Sequence, residues 1–248
     1  MAFHAKTDIG LVRKENQDSF ALGELEPGLA WAVVCDGMGG PCGGKLAGEI
    51  AVEFISERIK KCFEDGLKGK SVKNMLLSAL EGANHKIYEK AESDPNLKGM
   101  GTTAIAMVIF DKELYLAYVG DSRAYIIDEK DIKLVTRDHS LVQLLIETGE
   151  ISEESAKTHP QRNVITRALG VSDNVEVDFR QESFGKGKEF VLLCTDGLSN
   201  ALTSDEIFEV FETYKAENLA DTLIEKAKRE NGSDNITAVI YENISGGK

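Results

Sequence analysis

Short apolar runs alternate along the chain with segments rich in glycine, aspartate and charged residues. The runs of strand length lie at 29–35, 102–110, 113–119, 123–128, 131–136, 175–181, 189–195 and 236–242. Turn-like links such as "FDKE" and "GDSR" separate neighbouring runs. Because parallel strands need a crossover of about a dozen residues or more, these short links predict antiparallel pairing.

Two long segments carry apolar residues at helical spacing instead. In 45–64 these are Leu46, Ile50, Phe54, Ile59 and Phe63, and in 71–91 they are Val72, Met75, Leu76, Ala79, Leu80, Ala83 and Ile87, with Ser71 as the expected N-cap. A second helix pair is predicted at about 204–213 and 216–230. Helix pairs between groups of strands predict an α+β domain, with sheets packed face to face and helices outside. We expect one domain over 1–244 and a short tail over 245–248.

Residues 139–170 stand apart as a short amphipathic helix followed by a polar, weakly patterned stretch. Insertions of this kind often form mobile elements over a functional site, although a plain surface excursion explains the pattern equally well. His139 and His159 belong to this segment and could contact substrate or cap local backbone.

Composition excludes several classes of protein. The 248 residues carry a formal net charge of −13 with no basic stripe, which argues against nucleic-acid binding. The apolar runs are too short to span a bilayer, and the first residues lack the pattern of a secretion signal. The four cysteines show no CxxC spacing, so neither a disulfide framework nor a zinc site is expected. We therefore expect a soluble, cytoplasmic protein.

Aspartates recur at the margins of the predicted strands. Asp36, Asp121 and Asp196 follow apolar runs, Asp234 directly precedes the last run, and Asp18 precedes an early strand. One or two aspartates would be ordinary turn residues, but a recurrence at the edges of several core strands requires another explanation.

Converging carboxylates would raise one another's pKa and oppose folding unless a cation offsets them. Aspartate oxygens suit Mg²⁺ or Mn²⁺, and the small Gly37 would let a backbone carbonyl approach such an ion. Two ions sharing a carboxylate can generate a hydroxide nucleophile. Arg13 could then clamp phosphate oxygens, although taken alone it could equally be a surface residue paired with Glu15. Phosphate ester hydrolysis is the most economical hypothesis.

Six motifs, in order, resemble the bacterial branch of the metal-dependent protein phosphatases, the protein phosphatase 2C family. They are "DIGLVRKENQD", "VCDGMGG", "GMGTTAIAMV", "VGDSRAY", "LLCTDGLSN" and "GSDNITAV". The resemblance covers essentially the whole chain. It implies a four-layer αββα sandwich with two mainly antiparallel sheets, a two-metal centre at one end, and hydrolysis of phosphoserine and phosphothreonine in proteins by a metal-bridging hydroxide.

The resemblance also implies roles for individual residues. Asp36 would be the carboxylate shared by both ions, the Gly37 carbonyl would bind one of them, and Asp196 and Asp234 would hold the other. By the same resemblance, the ions are two Mn²⁺ or Mg²⁺, with a possible third.

Three further positions match the family by motif. Asp18 would act near the centre through water, Asp121 together with Asp196 would form the third metal position, and Arg13 would bind phosphate. Residues 139–170 would form a flap that influences substrate choice. The resemblance further implies phosphoprotein substrates, a eukaryotic-like bacterial Ser/Thr kinase as the opposing enzyme, and a monomeric protein.

The chain departs from the family pattern at two places. Met38 stands where eukaryotic relatives have the histidine proposed as general acid, so leaving-group protonation has no assigned residue. The loop over 39–45 is longer than usual and contains Pro41. Two alternatives are weighed: a catalytically weak phosphoprotein-binding regulator of the same fold, for which a missing ligand would be the signature, and a two-metal nuclease, which conflicts with the net charge.

Overall fold

The computed structural model describes the chain except residues 1, 27, 41–42, 65, 68–70, 186 and 246–248. Pro41, the centre of the longer-loop prediction, and Cys42 therefore lie outside the described residues, as does most of the predicted tail. Among the described residues, no helix combines the length and the apolar character that a membrane crossing requires.

The strands form two antiparallel sheets. In chain order they are β1 (Ala2–Asp8), β2 (Asp18–Glu26), β3 (Leu29–Met38), β4 (Gly101–Thr102), β5 (Ala104–Phe110), β6 (Glu113–Val119), β7 (Arg123–Ile127), β8 (Ile132–Leu134), β9 (Asp178–Ser183), β10 (Gly187–Cys194) and β11 (Ile236–Ser245). One sheet has the order β1-β11-β10-β7-β8, and the other has the order β2-β3-β5-β6-β9 with β4 paired to β3. The link "FDKE" connects the antiparallel neighbours β5 and β6, as predicted. The link "GDSR" instead carries the chain from β6 in one sheet to β7 in the other, so the prediction that these two strands pair is wrong.

Helices cover the outer faces of both sheets. In chain order the helices are α1 (Gly43–Glu64), α2 (Val72–Ser93), α3 (Leu141–Glu147), α4 (Glu153–Lys157), α5 (Asp196–Ser199), α6 (Ser204–Thr213) and α7 (Ala216–Glu230), with a 3-10 turn over Pro95–Leu97. Helices α1 and α2 pack on the second sheet, and α5, α6 and α7 pack on the first. The predicted α+β sandwich of four layers is confirmed.

Side-chain alternation along β3 shows how the layers are built. Leu29, Trp31, Val33 and Cys35 pack toward α1 and α2, whereas Ala30, Ala32 and Val34 pack between the two sheets. A strand buried on both faces reads as a continuous apolar run, which is why this segment could be recognised from the sequence. The alternation also decides which side chains reach the space between the sheets at the strand ends.

The structure corrects several local predictions. Strand β3 continues to Met38, so Asp36 and Gly37 lie within the strand rather than after it. Ser71 occupies the N-cap position of α2, but its side chain makes no capping hydrogen bond. The predicted strand at 175–181 is shifted and begins at Asp178. Strand boundaries depend on pairing with neighbours, which local sequence patterns do not contain.

Helix α1 buries a different face from the predicted one. Its buried residues are Gly43, Gly44, Ala47, Gly48, Ala51, Ile55, Ser56 and Ile59. Of the predicted stripe only Ile59 is fully buried, while the others pack at the margin of the same core. Small residues allow close backbone approach, and they bring α1 against the end of β3. The predicted apolar face of α2 is buried as expected.

Candidate active site

The core between the two sheets ends in a layer of polar side chains. Each member lies two residues beyond an apolar residue of that core, so strand alternation turns it toward the same space. The members are Asp18, Asp36, Thr103, Ser122, Thr195 and Thr237. The corresponding core residues, each two positions away in the chain, are Phe20, Val34, Ile105, Ala124, Leu193 and Val239. Residues from several strands therefore meet at one end of the sandwich.

Asp18 and Asp36 lie directly opposite each other on the paired strands β2 and β3. Like charges in this position are destabilising. One carboxylate oxygen of Asp18, Oδ2, accepts hydrogen bonds from the hydroxyls of Thr195 at 2.9 Å and Thr237 at 2.6 Å. Its other oxygen, Oδ1, is buried without a hydrogen-bond partner. Burial, reinforced by Asp196 and Asp234, raises the pKa of Asp18 to about 7 despite the two hydroxyls.

Asp36 is the residue at which the acidic side chains converge. Burial raises its pKa well above the ordinary value, and the carboxylates of four other residues raise it further, namely Asp18, Asp196, Asp121 and Asp234. Its backbone is fixed by Thr103, whose hydroxyl accepts from the Asp36 N–H at 3.0 Å and whose N–H donates to the Asp36 carbonyl at 2.9 Å. A rigid strand therefore holds this carboxyl where negative charge accumulates.

Asp196 and Asp121 complete the group from other strands. Asp196 begins the short helix α5 directly after β10, and burial followed by the Asp234 charge raises its pKa, while a hydrogen bond with the Asp36 carboxyl opposes the rise. Asp121 follows β6, and burial followed by the Asp196 and Asp138 charges raises its pKa to about 7. These shifts record several carboxyls sharing one desolvated space.

Gly37 is required by the packing of α1. A Cβ added at this position would lie 2.1 Å from the Gly44 carbonyl oxygen and 2.8 Å from the Gln17 carbonyl oxygen. The Gly37 N–H donates to that Gln17 carbonyl at 3.3 Å. The sequence predicted a role for the glycine here because its small size would let an ion approach the backbone carbonyl. Close contact with the Gly44 and Gln17 backbones is a second reason why only glycine fits.

Arg13 lies against Asp234 rather than Glu15. Its Nη2 donates to Asp234 Oδ2 at 2.6 Å, with about half of the arginine side chain exposed. This hydrogen bond raises the pKa of Arg13, and the more distant charges of Asp36 and Asp196 act in the same direction. The guanidinium therefore stands at the edge of the acidic group.

Asn235 organises the loop that carries Arg13. Its Nδ2 donates to the carbonyls of Ile9 and Glu15, each at 3.0 Å, and its Oδ1 accepts from the Gln17 N–H at 2.9 Å. The side chain is buried. One amide group therefore satisfies three backbone groups of the 9–17 loop and holds the loop against the start of β11.

We expect Asn235→Asp to raise the KM for a phosphothreonine peptide more than it lowers kcat. The substitution removes both donated hydrogen bonds, so the loop around Arg13 loses its anchor; leaving buried partners unsatisfied corresponds to a KM increase of roughly tenfold. Steady-state kinetics at saturating Mn²⁺ measure the effect. The exposed Asn218→Asp variant controls for the added charge, and an unchanged KM in correctly folded Asn235→Asp would contradict this role.

A cavity of about 560 Å³ opens over this group. Of the sequence-predicted site residues, it is lined by Arg13, Asp36, Gly37, Asp121, Asp196 and Asp234. Met38 also lines it, while Asn163 and Ile165 reach it from the 139–170 segment. Asp18 is the one predicted residue that is not among the lining residues, because it lies behind Asp36. A groove of similar size along α6 and α7 shares no residue with this cavity.

The residues fit divalent cations, although they do not form a closed cage. Within the described ranges, no three acidic, histidine or cysteine side chains stand in a ready-made metal-binding arrangement. Mg²⁺ and Mn²⁺ keep several water ligands and need few protein oxygens. The unpartnered Oδ1 of Asp18 and the raised pKa values of Asp36 and Asp196 record negative charge that a cation would neutralise.

Sequence reasoning missed the supporting residues. By local sequence these are ordinary polar residues of strands or turns, namely Thr103, Ser122, Thr195, Thr237 and Asn235. Side-chain alternation could have revealed the four hydroxyl residues. Each lies two positions beyond an apolar residue that faces the space between the sheets, so its side chain lies on the same face of the strand. Asn235 offered no such signal, since its partners lie more than 200 residues away.

Comparison with known proteins finds similar chains over nearly the whole length of this one. The family model described as "Protein phosphatase 2C" matches residues 12–229. The serine/threonine phosphatase stp of Listeria monocytogenes is 37% identical over 238 residues, covering 96% of this chain and 94% of that protein.

Solved structures give the same result. The crystal structure of a bacterial serine phosphatase matches with a TM-score of 0.92 and 32% identity, covering 100% of this chain and 99% of that chain. The catalytic domain of the serine/threonine protein phosphatase PstP, solved in complex with two manganese ions, matches with a TM-score of 0.85 and 31% identity. It covers 99% of this chain and 98% of that chain.

Proposed function

Because the chain belongs to the protein phosphatase 2C family, we propose that the acidic group at the end of the sandwich is the catalytic centre of a protein-serine/threonine phosphatase. The activity itself, metal-dependent dephosphorylation of proteins, follows from family membership. The observation that supports this location is the convergence of Asp18, Asp36, Asp121 and Asp196 with Asp234, recorded in the raised pKa of Asp36.

We assign the metal-binding residues as follows. Asp36 would be shared by two ions, the Gly37 carbonyl would bind one, Asp196 and Asp234 would hold the other, and Asp121 with Asp196 would form a third position. Asp18, which lies behind Asp36, would act through water. When bound, the Mn²⁺ or Mg²⁺ ions supply charge neutralisation and an activated water near neutral pH.

The protein's own residues position the phosphate. Arg13 has a planar fork of donors suited to phosphate oxygens, and it stands at the cavity mouth beside Asp234. Asp234, which would hold an ion, also accepts from the guanidinium, so Arg13 stands beside the proposed metal position. Met38 carries no transferable proton, so protonation of the leaving group falls to a group other than the residue at this position.

We expect Arg13→Ala to raise the KM for a phosphothreonine peptide, and the inhibition constant of inorganic phosphate, by roughly 10- to 100-fold, since a hydrogen bond to a charged group contributes about 1.5–3 kcal/mol. Arg13→Lys keeps the positive charge but not the planar fork of donors, so its KM should lie between that of wild type and that of Arg13→Ala. Mn²⁺ affinity, measured by calorimetry, should change less. Arg58→Ala, at an exposed arginine outside the cavity, is the matched control, and an unchanged KM in Arg13→Ala would remove Arg13 from phosphate binding.

The biological setting follows from the same activity. We propose that the protein is a cytoplasmic monomer formed by one domain over 1–244, with 139–170 as a flap, and that it opposes a eukaryotic-like Ser/Thr kinase of the same cell. Phosphoproteomics after gene deletion tests this directly. Phosphoserine and phosphothreonine sites of that kinase should accumulate, and an unchanged phosphoproteome would reject the partnership. The alternative of a weakly catalytic binding protein lacks its expected signature, since every ligand residue is present.

A further inference from the structure

His139 is buried beside the catalytic group but belongs to none of the roles above. We propose that His139 is a positioning residue, which fixes the backbone of Gly120 and thereby aims the Asp121 carboxyl into the site. The inference rests on the metal-ligand role proposed for Asp121.

Two hydrogen bonds join His139 to Gly120. The backbone N–H of Gly120 donates to the ring nitrogen His139 Nδ1 at 3.1 Å, and the backbone N–H of His139 donates to the Gly120 carbonyl at 3.0 Å. Both polar backbone groups of Gly120, the residue directly before Asp121, are therefore held by one residue. A displacement of this peptide would displace Asp121 with it.

The Gly120 conformation needs such support. Its φ of +108° lies in a region that only glycine adopts readily. A Cβ there would lie 2.6 Å from the Thr103 side chain, so the backbone turns closely over the residue that also anchors Asp36. Because glycine has more backbone freedom than other residues, contacts from neighbouring residues must fix this conformation.

The imidazole is itself held in one orientation. It is buried, and it stacks on Tyr118 with ring centroids 5.4 Å apart and an interplanar angle of 17°. Burial and the neighbouring Arg167 charge lower the pKa of His139, so the ring is neutral near pH 7. Because Nδ1 accepts from Gly120, the ring proton of the neutral form resides on Nε2, which lies 3.4 Å from Arg167 Nη1 and 3.6 Å from Asp178 Oδ1.

Neighbouring contacts hold the same segment on both sides of Asp121. Asp138 accepts from the Arg123 guanidinium, with Nη2 to Oδ2 at 2.7 Å. The His139 carbonyl accepts from the Thr166 N–H at 2.7 Å, which ties the two ends of the 139–170 segment together. The base of that segment is thus joined to the Asp121 turn through His139.

Two substitutions separate positioning from packing. His139→Phe keeps a ring against Tyr118 but removes the acceptor for Gly120. His139→Asn loses the ring but keeps an acceptor on the same carbon position, so its Oδ1 can replace Nδ1. If His139 mattered only for packing, the phenylalanine variant would be the milder one.

The test uses Mn²⁺ alone with the full chain. Calorimetry of wild type and Asp121→Asn identifies the Mn²⁺-binding step that depends on Asp121. In His139→Phe this step should weaken roughly tenfold, the lower end of the range for groups that orient metal ligands, while His139→Asn should stay within about threefold of wild type. Hydrogen exchange at the Gly120 amide, followed by NMR in the metal-free protein, should accelerate in His139→Phe and not in His139→Asn.

A double variant makes the outcome decisive. Adding His139→Phe to Asp121→Asn should produce no further loss of Mn²⁺ binding, since coupled residues are not additive. Equal loss in both backgrounds, or a milder effect of phenylalanine than of asparagine, would overturn the inference while leaving the role of Asp121 intact. Unchanged Mn²⁺ binding in Asp121→Asn itself would overturn that role and the inference together. Thermal unfolding of each variant establishes that the fold is retained.

Discussion

The Asp36→Asn variant should lose Mn²⁺-dependent turnover of a phosphothreonine peptide by roughly 10²- to 10³-fold, the scale observed when one electrostatic element of a catalytic site is removed. The charges of four other aspartates converge on Asp36, so this substitution removes the carboxyl at the centre of the acidic group. The exposed Asp205→Asn variant is the matched control for loss of one negative charge. Steady-state kinetics over a range of Mn²⁺ concentrations measure the change, and substantial turnover at saturating Mn²⁺ would contradict the central role of Asp36.

The same variant should be more stable than wild type when metal is absent. Its carboxyl is opposed by like charges in the folded state, and asparagine removes that repulsion while keeping the shape of the side chain. Urea unfolding in chelator should therefore show a higher free energy of unfolding for Asp36→Asn at pH 7.5. A site that loses activity while the metal-free protein gains stability is typical of a centre built to hold charge.

The second large effect concerns pH. The folded-state pKa values of Asp18 and Asp121 are each raised from 3.8 to about 7, so the folded state binds more protons than the unfolded state between these values. Stability therefore falls as pH rises from about 4 through 7 and levels off above. In chelator the loss should be on the order of several kcal/mol, a large share of the stability of a typical domain.

Thermal or urea unfolding across this pH range measures the second effect. Asp18→Asn should reduce the slope of the curve in chelator, because it removes one of the carboxyls whose pKa is raised in the folded state. Mn²⁺ at about 100 times its dissociation constant should restore about 2.7 kcal/mol at pH 7.5 and much less at pH 4.5, where the carboxyls are protonated. Stability that rises with pH in chelator, or Mn²⁺ stabilisation independent of pH, would contradict the shared desolvated site.

Local patterns predicted much of the fold. The apolar runs around Val34 and Leu193 located core strands, and the seven-residue stripe of α2 predicted its buried face. These local patterns were less reliable where small residues, rather than large apolar ones, form the buried face of a helix. The glycines and alanines of α1 form its buried face because Gly44 contacts the backbone of Gly37, and a hydrophobicity pattern ranks such residues low.

The residues of the candidate site were likewise predictable only where a local pattern marks them. Asp18, Asp36, Asp121, Asp196 and Asp234 could be singled out because each stands at a strand margin. Their partners could not, because those depend on sheet order. Arg13 was expected to face phosphate or Glu15, yet it pairs with Asp234, which is 221 positions away in the chain.

The sequence by itself determined which chemical groups the protein carries and on which face of its strand each one lies, because side-chain alternation is a local property of an extended backbone. Only the tertiary structure decided that these groups meet, that Asn235 anchors the Arg13 loop, and that His139 holds Gly120. Each of those contacts joins segments brought together by the antiparallel order of two sheets and their packing. Non-local pairing of this kind is stabilised by the whole core and is not encoded at any single position.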